Sequence, residues 1–186
     1  MRQACIVTAA DQKRINTYLN TRRHALRDQT IFAVSFNAGL RAMEIAALKI
    51  GDVYTEQGTV RDVIMLTTTK GGNARRVFVN KRLHNALKKY SGNINTNAFH
   101  SPLFESQKGG HFSGNTMCQL FLEVYAACRI DGASSHSGRR TMITRLADQG
   151  ISVHVLAAIA GHRNIATTQR YLTVNDAMIA RAVELL

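Results

Sequence analysis

Residues 63–79 read VIMLTTTKGGNARRVFV, and this stretch decides the fold class. Val63 to Thr69 is rich in β-branched and apolar residues, the composition of a strand. Lys70-Gly71-Gly72-Asn73 supplies a tight reversal, since Gly and Asn accept the backbone angles it needs. Arg76 to Val79 predicts the return strand. A further short strand near Val53 would complete a three-stranded antiparallel sheet.

On both sides of the hairpin the period becomes helical. Upstream, Thr8-Ala9-Ala10-Asp11 has the form of a capping box with Asp in place of Glu. A helix therefore begins near Ala9, with Ile15, Tyr18 and Leu19 at helical spacing. A second runs from Arg27 to Asn37, burying Ile31, Phe32, Val34 and Phe36, and Gly39 breaks it. A third spans Arg41 to Leu48, with Ile45 and Leu48 facing in. Downstream, helices are expected over 81–90, 113–129, 139–149, 152–160, 165–173 and 175–185, with 91–112 mostly loop. No repeat, low-complexity tract or Pro-rich linker interrupts them. The fold class is α+β: one mainly α-helical domain with a small three-stranded antiparallel sheet on one edge.

Composition narrows the function. The 186 residues are 45% hydrophobic, enough to bury a core. Lys plus Arg number 24 against 12 Asp plus Glu, and this excess points to a polyanionic partner. The charge is uneven: residues 1–93 hold 16 basic and 6 acidic side chains, residues 94–186 only 8 and 6. No apolar run approaches the roughly 20 residues of a membrane span, so no membrane partner is expected. Cys5, Cys118 and Cys128 form no CxxC pair, which suits a reduced, cytoplasmic protein with buried thiols.

Several chemistries lack their motifs. The sequence has no GxxxxGK[ST] loop, no HExxH and no paired-carboxylate motif, so neither a metal nor a cofactor is expected. Phosphoryl chemistry without a metal must neutralise transition-state charge with cationic side chains. Such a set is present. Arg41 and Glu44 lie three apart at a helix start, and His136 and Arg139 lie one turn apart on one face. Gly161-His162 falls between two helices, Arg170-Tyr171 ends the next, and Lys70 tips the hairpin.

These segments resemble the catalytic domain of the tyrosine recombinases, the family of phage and plasmid integrases, DNA invertases and chromosome-dimer resolvases. GLRAMEIAALKIGDV (39–53) resembles the family's first arginine segment and TTTKGGNARRVFV (67–79) its lysine hairpin. HSGRR (136–140) resembles the His-x-x-Arg segment, and AGHRNIATTQRYL (160–172) the segment ending in the nucleophilic tyrosine. Each match alone is weak. Four in order, with 26 residues from His136 to His162 and 9 from there to Tyr171, are specific. The resemblance runs from about Thr8 to the C-terminus. Gly138 stands where the family commonly has Leu, which would loosen local packing, and Arg140 stands where it commonly has His.

The resemblance implies a tyrosine-recombinase catalytic domain over 1–186, with the family's N-terminal DNA-clamping, core-binding domain absent. It implies Tyr171 as nucleophile, Arg41 and Arg139 as the phosphate clamp, and His136 as general base or hydrogen-bond partner. His162 would donate to a phosphate oxygen, and Lys70 would protonate the departing 5′-oxygen. Glu44 would orient the basic cluster without doing chemistry. Arg75, Arg140 and Arg163 are the further cations expected to contact DNA. The implied partners are double-stranded DNA and a homotetramer assembled on it, with the apolar face of 175–186 docking on a neighbour. Three rivals share the basic character: an accessory DNA-binding module without catalysis, a type IB topoisomerase-like enzyme, and a basic RNA-binding protein, which no RNP-like aromatic motif supports. The full Arg/Lys/His/Arg/His/Tyr set speaks against the first. The short chain and the Gly-His segment speak against the second.

Overall fold

A computed structural model of the chain describes residues 4–67, 74–107, 109–171, 179–180 and 183–184. Among these, α1 (Ala9–Asn20), α2 (Ala25–Ala38), α3 (Ala42–Ala47) and the single turn α4 (Ile50–Val53) precede the strands β1 (Val63–Leu66) and β2 (Arg75–Phe78). The helices α5 (Lys81–Ser91), α6 (Gly114–Ala127), α7 (Ser137–Asp148), α8 (Val153–Ala160) and α9 (Ile165–Gln169) follow. The capping box at the first helix forms: the Asp11 amide donates to Thr8 Oγ1 (3.1 Å) and the Thr8 amide to the Asp11 carboxylate (3.0 Å).

The second helix organises the core. It packs against α1, α5 and α7, and Ile31, Phe32 and Val34 are buried. Each such side chain contributes about 1.5–3 kcal/mol on burial. The Phe32 ring meets Phe121 and Tyr125 of α6 at centroid distances of 4.7 and 5.6 Å. A second, smaller cluster lies apart: Met142 and Ile143 of α7 with Ala160 of α8, covered by Leu146, Ile159 and Tyr171. This cluster seats the tyrosine segment on the α7–α8 pair.

The hairpin pairs antiparallel, with Val63 opposite Phe78 and Leu66 opposite Arg75. Ile64, Leu66 and Val77 face inward, and Met65, Arg76 and Phe78 face solvent. The expected third strand is not formed among the described residues, where the sheet is two-stranded. Ile50 and Val53, three apart, are both buried by one helical turn, which the Asp52 carboxylate caps by accepting the Lys49 amide at 2.8 Å. Tyr54 makes only an isolated bridge to Val60. Lys70, expected at the hairpin tip, lies outside the described residues, as does most of the expected 175–185 helix.

Gly138 does not loosen the packing of α7. It is buried, and a Cβ at this position would overlap Ser35 Oγ, so its lack of a side chain lets α7 lie close against α2. Gly138→Ala should therefore destabilise the fold by about 1–3 kcal/mol through overpacking. Helix propensity alone would favour Ala by about 1 kcal/mol, so a net loss isolates the clash. Urea unfolding reads this directly. A stability equal to or above that of the parent chain would contradict the close approach. Among the described residues, no helix is long and apolar enough to cross a membrane.

Candidate active site

Arg41 follows α2 and caps α3 in extended conformation, which places Glu44 in the first turn. The Glu44 side chain is 2% exposed and filled with donors. Its Oε2 accepts the Arg41 amide (2.8 Å) and Arg75 Nη2 (2.8 Å), and its Oε1 accepts Arg41 Nη1 (3.0 Å). Burial alone would raise this carboxyl's pKa. The Arg41 amide, with the charges of Arg75, Arg41 and Arg139, outweighs burial and holds it below the ordinary carboxylate value. Glu44 is thus an ionised hub joining Arg41 to the hairpin.

Arg139 lies in the first turn of α7 and is 3% exposed. Its Nη1 donates to the Gly39 carbonyl (2.8 Å) and its Nη2 to the Ala160 carbonyl. Those carbonyls stand at the C-terminal ends of α2 and α8, where the helix dipole is negative and a cation is favoured. Burial, then repulsion from Arg41 and Arg75, pushes its pKa down to about 10, so it stays cationic at pH 7. One guanidinium thereby joins three segments far apart in sequence.

The last of these segments turns at Gly161, whose φ of 63° lies in the left-handed region that glycine adopts without strain. The His162 amide returns to the Ala157 carbonyl at 3.0 Å, closing the end of α8. His162 Nδ1 is 2.8 Å from Thr168 Oγ1. Its ring stacks on that of Tyr171, with centroids 6.0 Å apart and planes 13° apart. Burial, then the fields of Arg139, Arg41 and Arg75, pulls the imidazole pKa down to about 4. His162 is therefore neutral at physiological pH.

Arg41, Arg139, His162 and Tyr171 thus come together from four segments, with Glu44 behind them. His136 is the exposed N-cap residue of α7, three residues before Arg139, and its amide donates to Ser134 Oγ at 3.3 Å. Two of the three arginines expected to contact DNA make hydrogen bonds within the chain. Arg75 Nη1 donates to the Ile159 carbonyl (3.0 Å), while Nη2 holds Glu44. Arg140 Nη1 donates to the Ala4 carbonyl (2.6 Å). Arg163 is exposed in the turn after His162. Sequence reasoning missed the inward role of Arg75, although its alternation with buried Val77 marks the inward face. It also missed Thr168, which no motif position had flagged.

The sequence pattern described as the phage integrase family matches residues 6–178. Tyrosine recombinase XerC of Erythrobacter litoralis is 34% identical over 151 residues, covering 80% of this chain and 46% of that protein. Tyrosine recombinase XerC of Pelobacter propionicus is 26% identical over 153 residues, 82% of this chain and 49% of that protein. The chain thus spans about half the length of these curated relatives. Among solved structures, the XerA recombinase superposes with TM-score 0.75 at 23% identity, covering 99% of this chain and 66% of that one. The Tn1549 transposon integrase in complex with a circular intermediate DNA gives TM-score 0.79 at 18% identity, covering 100% and 67%. The sequence match over nearly the whole chain and this shared fold establish that the protein belongs to the phage integrase family, the tyrosine recombinases.

Proposed function

We propose that this chain is a catalytic domain that cleaves and rejoins DNA strands at specific sites. The carrying observation is the convergence of Arg41, Arg139 and neutral His162 beside the Tyr171 ring. The Tyr171 phenol oxygen attacks a DNA phosphorus and forms a P–O bond, while the bond to the 5′-oxygen breaks. The products are a 3′-phosphotyrosyl link and a free 5′-hydroxyl. Arg41 and Arg139 neutralise the charge building on the non-bridging oxygens, a task that suits the planar guanidinium fork. A phenol ionises near pH 10, so attack needs its proton removed, and His136 is the proposed acceptor. Lys70 is the proposed donor to the leaving 5′-oxygen. A 5′-hydroxyl from a partner duplex then reverses the sequence. The phosphodiester energy is retained in the phosphotyrosyl link, so no nucleotide is consumed. Four protomers on two duplexes are the proposed assembly.

A nicked suicide site, which loses its 5′-hydroxyl fragment and traps the intermediate, tests this reading. Covalent complex and joined products are both expected. Cleavage should persist in excess EDTA, since cationic side chains carry the charge neutralisation here. Complete inhibition by EDTA, reversed by magnesium, would contradict the proposal.

A further inference from the structure

Thr168 lies between His162 and Tyr171 in the sequence and contacts both. Its side chain is fully buried, at 0% exposure. Among the described residues, the one hydrogen bond of its hydroxyl is to His162 Nδ1 at 2.8 Å. Its carbonyl accepts the Tyr171 amide at 2.9 Å. One residue therefore holds the His162 ring through its side chain and the Tyr171 backbone through its main chain.

A neutral imidazole carries one proton, and the partner of one nitrogen decides which nitrogen keeps it. Two arrangements fit the 2.8 Å contact. In the first, the Thr168 hydroxyl donates to Nδ1, and the ring proton sits on Nε2. In the second, Nδ1–H donates to Thr168 Oγ1, and the hydroxyl proton must find another acceptor. Within the described residues Thr168 has none, and buried polar hydrogens are rarely left without one. A doubly protonated ring would leave the same hydroxyl proton stranded. It would also lie in the field of Arg139 on α7, Arg41 before α3 and Arg75 on β2. The first arrangement pairs both the Thr168 hydroxyl and Nδ1 and leaves Nε2–H for an acceptor outside the described residues.

We propose that Thr168 is a positioning residue that fixes His162 as its Nε2–H tautomer and so leaves Nε2–H as the ring's donor to the scissile phosphate. The tautomer follows from the buried hydrogen bond and the surrounding cations, whereas its use in the reaction rests on the strand-transfer reading above. A His162 ring protonated on Nδ1 would present a lone pair at Nε2, which a phosphate oxygen repels. Thr168 thus decides whether the imidazole assists or opposes the charge on phosphorus.

Two variants and two readouts test this. Thr168→Val keeps the shape and removes the hydroxyl, and Thr168→Ser keeps the hydroxyl. Long-range proton–nitrogen correlation spectra of the nitrogen-15-labelled chain report the tautomer, with His162→Asn identifying the signal. The wild-type ring should show a protonated Nε2 and a bare Nδ1. Thr168→Ser should match it, and Thr168→Val should gain the Nδ1–H form. On the suicide site, Thr168→Val should cleave about 10-fold more slowly with DNA affinity unchanged, a part of the roughly 10²–10³ that loss of a whole transition-state donor costs. Thr168→Ser should restore most of the rate. A wild-type ring protonated on Nδ1, or a Val variant with the wild-type tautomer, overturns the assignment. A changed tautomer with unchanged cleavage overturns the positioning role. The spectra need no DNA, so a chain that never cleaves would refute strand transfer while the tautomer is still judged on its own signal.

Discussion

Replacing Tyr171 with Phe should leave DNA binding intact and abolish the SDS-resistant protein–DNA complex. The substitution removes one oxygen and keeps the ring. That ring is half-buried on the Met142, Ile143 and Ala160 cluster and stacked on His162, so its packing survives. The backbone bond from the Tyr171 amide to the Thr168 carbonyl is also untouched. Only the nucleophile is lost, and no covalent product remains possible. Tyr54, Tyr90 and Tyr125 are poorly suited to replace it. Burial pushes the Tyr90 phenol up to about 12 and those of Tyr54 and Tyr125 higher still, and Tyr54 and Tyr90 donate to the Leu87 and Leu103 carbonyls. Gel electrophoresis of denatured suicide-substrate reactions, beside a binding titration, gives the answer. Residual covalent attachment by the Phe variant would refute the assignment.

Removing either arginine of the clamp should slow cleavage by about 10²-fold or more, the usual cost of losing one transition-state donor. DNA affinity should change far less, because other cations hold the backbone. The two variants should differ in stability. The Arg41 side chain is 26% exposed, and without it Glu44 keeps Arg75 and the backbone amide at position 41. Arg139→Ala leaves the carbonyls of Gly39 and Ala160 without their donor, each worth about 1–3 kcal/mol if it stays dry. Arg139→Ala should therefore also lower the unfolding midpoint, whereas Arg41→Ala should shift it little. Single-turnover cleavage, DNA titration and urea unfolding of both variants separate these effects. Equal losses in binding and in cleavage would mean that the arginines only hold DNA.

Local signals carried most of the fold. Thr8 and Asp11 announce the first helix because both partners of the cap lie within one turn. Gly39 and Gly161 mark the ends of α2 and α8 because a left-handed residue there is a local need. The strand near Val53 misled because four residues carry too little periodicity to separate a strand from one helical turn. Gly138 misled for a different reason: its role depends on Ser35, a hundred residues away, and no local pattern reports that contact.

The site was legible as a set of residue types and spacings, but its wiring was not. Arg75 looks like one more cation beside Arg76, yet strand parity turns it toward Glu44 while Arg76 faces solvent. Arg140, next to Arg139, points to the Ala4 carbonyl because successive helix residues diverge by about 100°. The depressed pKa of His162 follows from burial and then from three arginines gathered by tertiary packing, neither of which spacing along the chain encodes.

The most direct measurement identifies the atom that joins protein to DNA. The chain is incubated with a nicked suicide site, the trapped complex is digested with protease and nuclease, and the modified peptide is sequenced by mass spectrometry. The account predicts a nucleotide joined through its 3′-phosphate to Tyr171, with a free 5′-hydroxyl on the released fragment. A link to any other residue, a 5′-phosphate linkage, or cut DNA with no attached peptide would contradict it.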